Sequence, residues 1–225
     1  MMAFSIVALQ ILSCLGLGVL VLRLAKVSER LAIGERYSWS FAIGFGVHCW
    51  LLFFVGVLGG LTSAALLVTL AAPVPAVLLL RSALLPPRMI DELGRAGWLV
   101  LAAVFLTVLF DAFEVPAPPT DADSIAYHFD IPRRFWEAGT VFFIPRAIDG
   151  AAPLLVQMSY IAPYAFGGET ALNLWVMATG VAACLLLYTT CRRYMAPSWS
   201  FAVFVVFAST PAVLYGAGSG QIEIR

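Results

Sequence analysis

Residues 3–22 run for twenty positions without a charged side chain, and the first charge in the chain is Arg23. A backbone in hydrocarbon must satisfy its own hydrogen bonds, and about 20 apolar residues of helix cross the roughly 30 Å core of a bilayer. The pattern recurs. Six stretches, roughly 3–22, 38–60, 61–80, 96–113, 170–190 and 199–217, reach or approach that length. Of the 225 residues, 62% are hydrophobic and 12% charged, against about 45–50% and about 25% in soluble domains. Such a chain lacks the polar surface to cover a water-facing exterior. That excludes a soluble globular enzyme, a disordered tail and a nucleic-acid binder with a basic face. The expected fold class is all-α: a polytopic transmembrane helix bundle of about six spans, with an external loop carrying interfacial helices.

No basic residue precedes the first run, and Ile11-Leu12-Ser13-Cys14 is a poor lipoprotein cleavage box, so residues 3–22 read as a retained span. The four cysteines contain no C-x-x-C pair and read as small packing residues. Thirteen basic and thirteen acidic residues cancel, but their placement is informative. Residues 23–37 carry Arg23, Lys26, Arg30 and Arg36; residues 81–95 carry Arg81, Arg88 and Arg95; residues 191–198 carry Arg192 and Arg193. The turn at Gly59-Gly60-Leu61-Thr62 carries no charge. With six spans and an external N-terminus, all three basic loops fall on the cytoplasmic face. Residues 114–169 and 218–225 then lie on the opposite face of a plasma (inner) membrane.

Residues 151–168 are also uncharged, but Pro153 and Pro163 interrupt them. A seventh span there would move Arg192 and Arg193 outside. They read instead as an interfacial or re-entrant helix packed on the bundle. Pro73 and Pro75 predict a kink in the third span, and Gly56-x-x-x-Gly60 permits a close helix approach. His48 lies inside the second span; the expectation is a neutral ring hydrogen-bonded to a neighbouring helix, with an intramembrane functional group as the other reading.

Nine of the thirteen acidic residues fall on or beside the external face, and loop 114–169 is the longest polar connection. Within it runs Pro118-Pro119-Thr120-Asp121-Ala122-Asp123-Ser124-Ile125-Ala126-Tyr127-His128. Ser124 or Asp123 is expected to cap a helix running through Trp136, with Asp123 and Tyr127 on one face and Ser124 and His128 on the adjacent one. Ile125, Phe129, Ile131, Phe135 and Trp136 supply apolar surface for lying on the membrane, and Arg133 and Arg134 add positive charge at headgroup level. A carboxylate there can act as a general base or help hold a divalent cation, and arginines can clamp a phosphate. The alternative is a solvated loop whose charges only keep it at the interface.

This order of residues resembles the membrane glycosyltransferases of the C-type superfamily, the multispanning enzymes related to protein mannosyltransferases and aminoarabinose transferases. The likeness is carried by Asp123, Tyr127 and His128, then Pro132, Gly139, the proline-led Pro153-Leu154-Leu155-Val156-Gln157-Met158, a span closing on Arg192-Arg193, a span closing on Ser209-Thr210-Pro211, and Glu223. It covers about residues 97–225, so residues 1–95 are read as N-terminal transmembrane helices and 96–225 as the start of a glycosyltransferase-like core. It implies transfer of a sugar from a polyprenyl-phosphate carrier to a glycan, lipid or protein acceptor on the non-cytoplasmic face. Asp123, with Asp121 as a rival, is implied as catalytic base or metal partner, and Glu223 as the second carboxylate. Tyr127, His128 and Gln157 are candidate substrate contacts; Arg133, Arg134 and Arg146 are candidate phosphate contacts on charge and location. Gln157 stands where many relatives carry Glu; it can hydrogen-bond a sugar but cannot take a proton at neutral pH. A divalent cation, Mg2+ or Mn2+, is the cofactor the resemblance allows. Relatives continue through further spans, so the chain is expected to be an N-terminal portion. The competing classes are a non-catalytic membrane protein (a transporter part or scaffold) and an inactive truncated paralogue.

Overall fold

The computed structural model describes residues 1–83, 94–114, 124–145 and 155–210, together with Val213. Among these residues every regular element is a helix: α1 (Met2–Leu24), α2 (Ile33–Val57), α3 (Ser63–Ala71), α4 (Arg95–Glu114), α5 (Asp130–Ala138), α6 (Leu155–Met158), α7 (Ile161–Cys191) and α8 (Pro197–Ala208). Two short 3-10 helices (Ser28–Arg30 and Val74–Ala83) and a π-helix (Ser124–His128) join them. Four helices are long and apolar enough to cross a membrane: Met2–Leu24, Ile33–Val57, Ser63–Leu80 and Ile161–Cys191. Arg95–Leu106 and Pro197–Ala208 are shorter apolar helices. α4 runs the length of the fourth expected span, and the described part of α8 rises about 18 Å.

The bundle is built on the antiparallel pair α1 and α2, with α7 packed against both. Small residues let the two backbones touch. A Cβ on Gly44 would lie 1.7 Å from Cys14 O, and one on Gly18 would lie 1.7 Å from Ser40 O. Glycine alone fits there, and in lipid such close van der Waals packing replaces the hydrophobic effect as the associating force. Trp175 of α7 is wholly buried and meets Phe41 and Phe45 of α2, ring centroids 6.1 and 6.0 Å away. Large apolar side chains remain on the outer faces, among them Phe54, Val68, Leu99, Phe105, Trp199 and Val206, as expected where the solvent is lipid. The third span changes from α to 3-10 geometry around Pro73 and Pro75, because a proline offers no N–H to the preceding turn.

The two ends of the bundle differ in charge. At one end α1 closes with Lys26 in the left-handed region (φ 56). Its N–H donates to Arg23 O and that of Val27 to Leu22 O, the paired bonds of a Schellman cap. Arg23 Nη2 donates to Leu79 O, Arg193 pairs with Glu35 at 3.4 Å, and Ser38 Oγ lies 2.6 Å from Thr189 Oγ1. The loop after α1, the end of the third span and the loop after α7 therefore share this end. At the other end the turn after α2 is bonded to the segment after α5. Leu61 N–H donates to Gly139 O, and Gly56 O accepts from Val141 N–H and Thr140 Oγ1. The uncharged turn and the segment after α5 thus lie together, at the end opposite the loops that follow α1 and α7.

Three expectations change. The helix foreseen through Trp136 is broken: a π-helical turn ends at His128, and α5 starts at Asp130. Pro132 cannot donate to the carbonyl four residues back, so it belongs in the first turn of a new helix, where an N–H has no partner in any case. Gly56 does not meet a helix; its open face receives Val141, whose Cγ2 would be 2.5 Å from an added Cβ. His48 is fully buried, yet neither ring nitrogen has a hydrogen-bond partner among the described residues.

Candidate functional site

The candidate site forms where α6 and the first turns of α7 enter the bundle. Gln10 Nε2 donates to Ser159 O at 2.8 Å. Gln10 lies about 12 Å along α1 from Met2. On α2, Cys49 Sγ reaches Val156 O at 3.9 Å, again about 12 Å from Val57 at the C-terminal end of that helix. From this depth the chain climbs through the buried Ile161, Ala162 and Pro163 to Gly167, whose added Cβ would lie 3.1 Å from Ala3 Cα near the start of α1. Gly168 then breaks α7 (φ 64, ψ −160), and the helix descends toward Cys191. Residues 155–167 therefore run from inside the bundle to the end where α1 begins. Irregular backbone at such depth is tolerated only when protein surrounds it, and here α1, α2 and α7 do.

Polar groups converge on this segment. Ser159 Oγ donates to Val156 O at 2.7 Å and accepts from Trp175 Nε1 at 2.9 Å. Gln157 Nε2 lies 2.6 Å from His128 Nδ1, and both residues are 1% exposed. As placed, the amide nitrogen donates and Nδ1 accepts. Tyr127 lies beside His128 with ring centroids 4.1 Å apart and planes tilted by 46°, and Phe129 meets Tyr160 edge-on at 5.9 Å. Gln157 Oε1 and Gln10 Oε1 are buried with no hydrogen-bond partner among the described residues. An unmet buried acceptor costs about 1–3 kcal/mol. Groups of this kind suit hydroxyls brought by a polar ligand.

Just above, α5 packs on α7 and on the π-helical turn. Its buried stripe is Ile131, Pro132 and Phe135, and Gly139 in the left-handed region (φ 71) closes it. Its charges compensate one another. Asp130 accepts from Arg133 at 2.7 Å and from Arg134 at 2.6 Å, and Arg133 also approaches Glu137 at 3.8 Å. The side chains of Arg133 and Arg134 are 44% and 50% exposed. An arriving phosphate would have to compete with Asp130 for both.

The structure thus brings His128 and Gln157 together, places Tyr127 beside them, and puts Arg133 and Arg134 on the neighbouring helix. Asp121, Asp123, Arg146 and Glu223 lie outside the described residues, so the acidic half of the predicted site has no geometry here. Among the described residues no group of three His, Cys, Asp or Glu side chains could hold a metal. Sequence reasoning missed Gln10, Ser159 and Asp130. Gln10 had a signal, as the only amide in an uncharged apolar run. Asp130 had one too, three and four residues before the arginines it binds. Ser159 had none. No known protein family, curated protein or solved structure matches the chain.

Proposed function

We propose that this membrane helix bundle is all or part of a glycosyltransferase that draws a sugar from a polyprenyl-phosphate carrier at the end bearing loop 114–169. The observation that carries this reading is the 2.6 Å contact between His128 and Gln157. It joins the Tyr-His pair of the loop to the proline-led helix, two segments 29 residues apart that the family resemblance both assigns to one site. In this reading Gln157 and Gln10 supply amide contacts to sugar hydroxyls. The loop acids Asp123 or Asp121, with Glu223, provide the base or the metal partner. The acceptor hydroxyl loses its proton to that base as it attacks the anomeric carbon, and the carrier phosphate leaves toward cationic groups. Six spans, an external N-terminus and an inner-membrane location belong to the same proposal; the grouping of the basic loops after α1 and α7 at one end supports them.

Polyprenyl monophosphate is the product common to every such donor, so it is the probe. The purified chain in detergent is expected to retain polyprenyl monophosphate over the matching polyprenyl alcohol in native mass spectra, and Arg133→Gln with Arg134→Gln to reduce that retention. Equal retention of phosphate and alcohol overturns the reading. In a longer version that turns over, Asp123→Asn is expected to abolish sugar transfer with membrane insertion unchanged.

One observation favours a second reading. The buried segment 155–163 with the helix break at Gly168 resembles the discontinuous helices that build solute sites in transporters. That reading predicts uptake of a polar solute into proteoliposomes with no preference for the polyprenyl phosphate.

A further inference from the structure

One buried imidazole, His48, has no part in the sugar-transfer reading. It is fully buried, and neither ring nitrogen has a hydrogen-bond partner among the described residues. Its place follows from the register of α1 against α2. A Cβ on Gly18 would meet Ser40 O, and one on Gly44 would meet Cys14 O. One turn further along α2, the antiparallel pairing brings His48 level with Gln10. The depths agree: Gln10 is about 12 Å along α1 from Met2, and His48 is about 14 Å from Val57 at the end of α2. The turn between α6 and α7 lies against both helices at that level. Gln10 Nε2 donates to Ser159 O at 2.8 Å, and Cys49, the chain neighbour of His48, reaches Val156 O at 3.9 Å. Gln10 is also fully buried, and its Oε1 has no hydrogen-bond partner among the described residues. Gln10 Oε1 and the two His48 ring nitrogens are thus unmet polar atoms at one level of one helix seam.

We propose that this seam holds an internal water molecule between His48 and Gln10. A polar atom left unmet in a dry interior is costly, and buried water sits where it can bond such atoms. The chemistry of the three atoms suits water. An amide oxygen only accepts, whereas a neutral imidazole offers one N–H donor and one bare nitrogen. One water molecule donates to Gln10 Oε1 and makes a second bond to a His48 nitrogen, as acceptor from the N–H or as donor to the bare nitrogen. An apolar ligand would leave all three atoms unmet. A metal ion would lack ligands, since among the described residues no group of three His, Cys, Asp or Glu side chains could hold one. Apolar side chains close the site along α2. Phe45, one turn before His48, packs on Trp175 with ring centroids 6.0 Å apart, and Leu52, one turn after, is fully buried. The water therefore joins α1 to α2 beside the Gln10–Ser159–Trp175 bonds. The site does not depend on the sugar-transfer reading; within that reading, a ligand hydroxyl that reaches Gln10 Oε1 displaces the water.

The chain has two histidines, so isotope labelling of histidine alone gives two ring systems in an NMR spectrum. The test uses the full 225-residue chain in phospholipid nanodiscs and reads magnetisation transfer from water to the imidazole rings; His48→Gln assigns the His48 signals by their loss. A water cross-peak to the His48 ring is expected, with ring nitrogen shifts of a hydrogen-bonded neutral imidazole. Gln10→Leu keeps the side-chain size but removes the acceptor, and is expected to weaken that cross-peak about fivefold or more. It also loses the bond to Ser159 O, so a control loosens α1 elsewhere. Ser13→Ala breaks the bond from α1 to Thr69 O at 3.2 Å and is expected to leave the cross-peak unchanged. Absence of a water cross-peak at the wild-type His48 ring overturns the proposal, whether or not the variants fold. Wild-type intensity in Gln10→Leu, or an equal loss in Ser13→Ala, overturns it too. Quenching of the cross-peak by a soluble paramagnetic reagent would mark open aqueous access and overturn the enclosed site.

Discussion

Replacing Gln157 by alanine removes the donor that His128 Nδ1 meets at 2.6 Å in a site where both residues are 1% exposed. Water cannot easily take the donor's place, so the single variant should lose about 1–3 kcal/mol for an orphaned buried group. His128→Ala should lose a similar amount, because it strands the Gln157 amide. The double variant strands neither. Hydrogen bonds between helices in membranes are worth about 0.6 kcal/mol on average and at most about 1.7. The pair should therefore show a coupling energy of about 1 kcal/mol, roughly fivefold in the unfolding equilibrium. The assay is SDS-driven unfolding in mixed micelles, followed by tryptophan fluorescence for the wild type, both single variants and the double variant. If the two single losses sum to the double loss within about 0.3 kcal/mol, the residues do not interact. The argument that loop and proline-led helix form one site would then fail.

Four further outcomes follow from the same structure. Gly44→Leu should abolish the native α1–α2 contact, since even its Cβ would stand 1.7 Å from Cys14 O; loss of the folded fraction in size-exclusion chromatography checks this, and a normal profile would refute the crossing. Lys26→Gly should raise stability by up to about 1 kcal/mol, because the residue sits at φ 56, where an L side chain is strained; a lowered SDS midpoint would contradict it. Arg193→Gln should cost less than about 1 kcal/mol, with the loss shrinking in high salt, because the ion pair with Glu35 is half exposed on its Arg side. Asp130→Asn should free Arg133 and Arg134 and tighten polyprenyl monophosphate retention severalfold, read by native mass spectrometry; weaker retention would remove both arginines from phosphate binding.

The spans were legible because lipid leaves the backbone few choices: uncharged runs of helix length at α1, α2, the third span and α7 became helices within a few residues of expectation. The grouping of basic loops was legible too, because the charges of residues 23–37 and 191–198 had to meet water at one end, and Glu35 with Arg193 shows that they do. Packing was not legible. Several Gly and small-residue motifs compete in the sequence, and only the register of α1 against α2 selects Gly18 and Gly44 over Gly56. Of the site, Tyr127, His128 and Gln157 were named through the family resemblance. The sequence could not reveal that Ser159 is the junction, because its partners Gln10 and Trp175 are 149 and 16 residues away in the chain.

The account rests on the two ends of the bundle facing opposite sides of a membrane. Single cysteines at Glu137, whose side chain is 62% exposed on α5, and at Glu29, exposed in the loop after α1, report on those ends once the four native cysteines are alanine. In intact spheroplasts a membrane-impermeant maleimide should label the cysteine at 137 and spare the one at 29 until the membrane is permeabilised. Labelling of both from outside, or of 29 alone, would contradict the account.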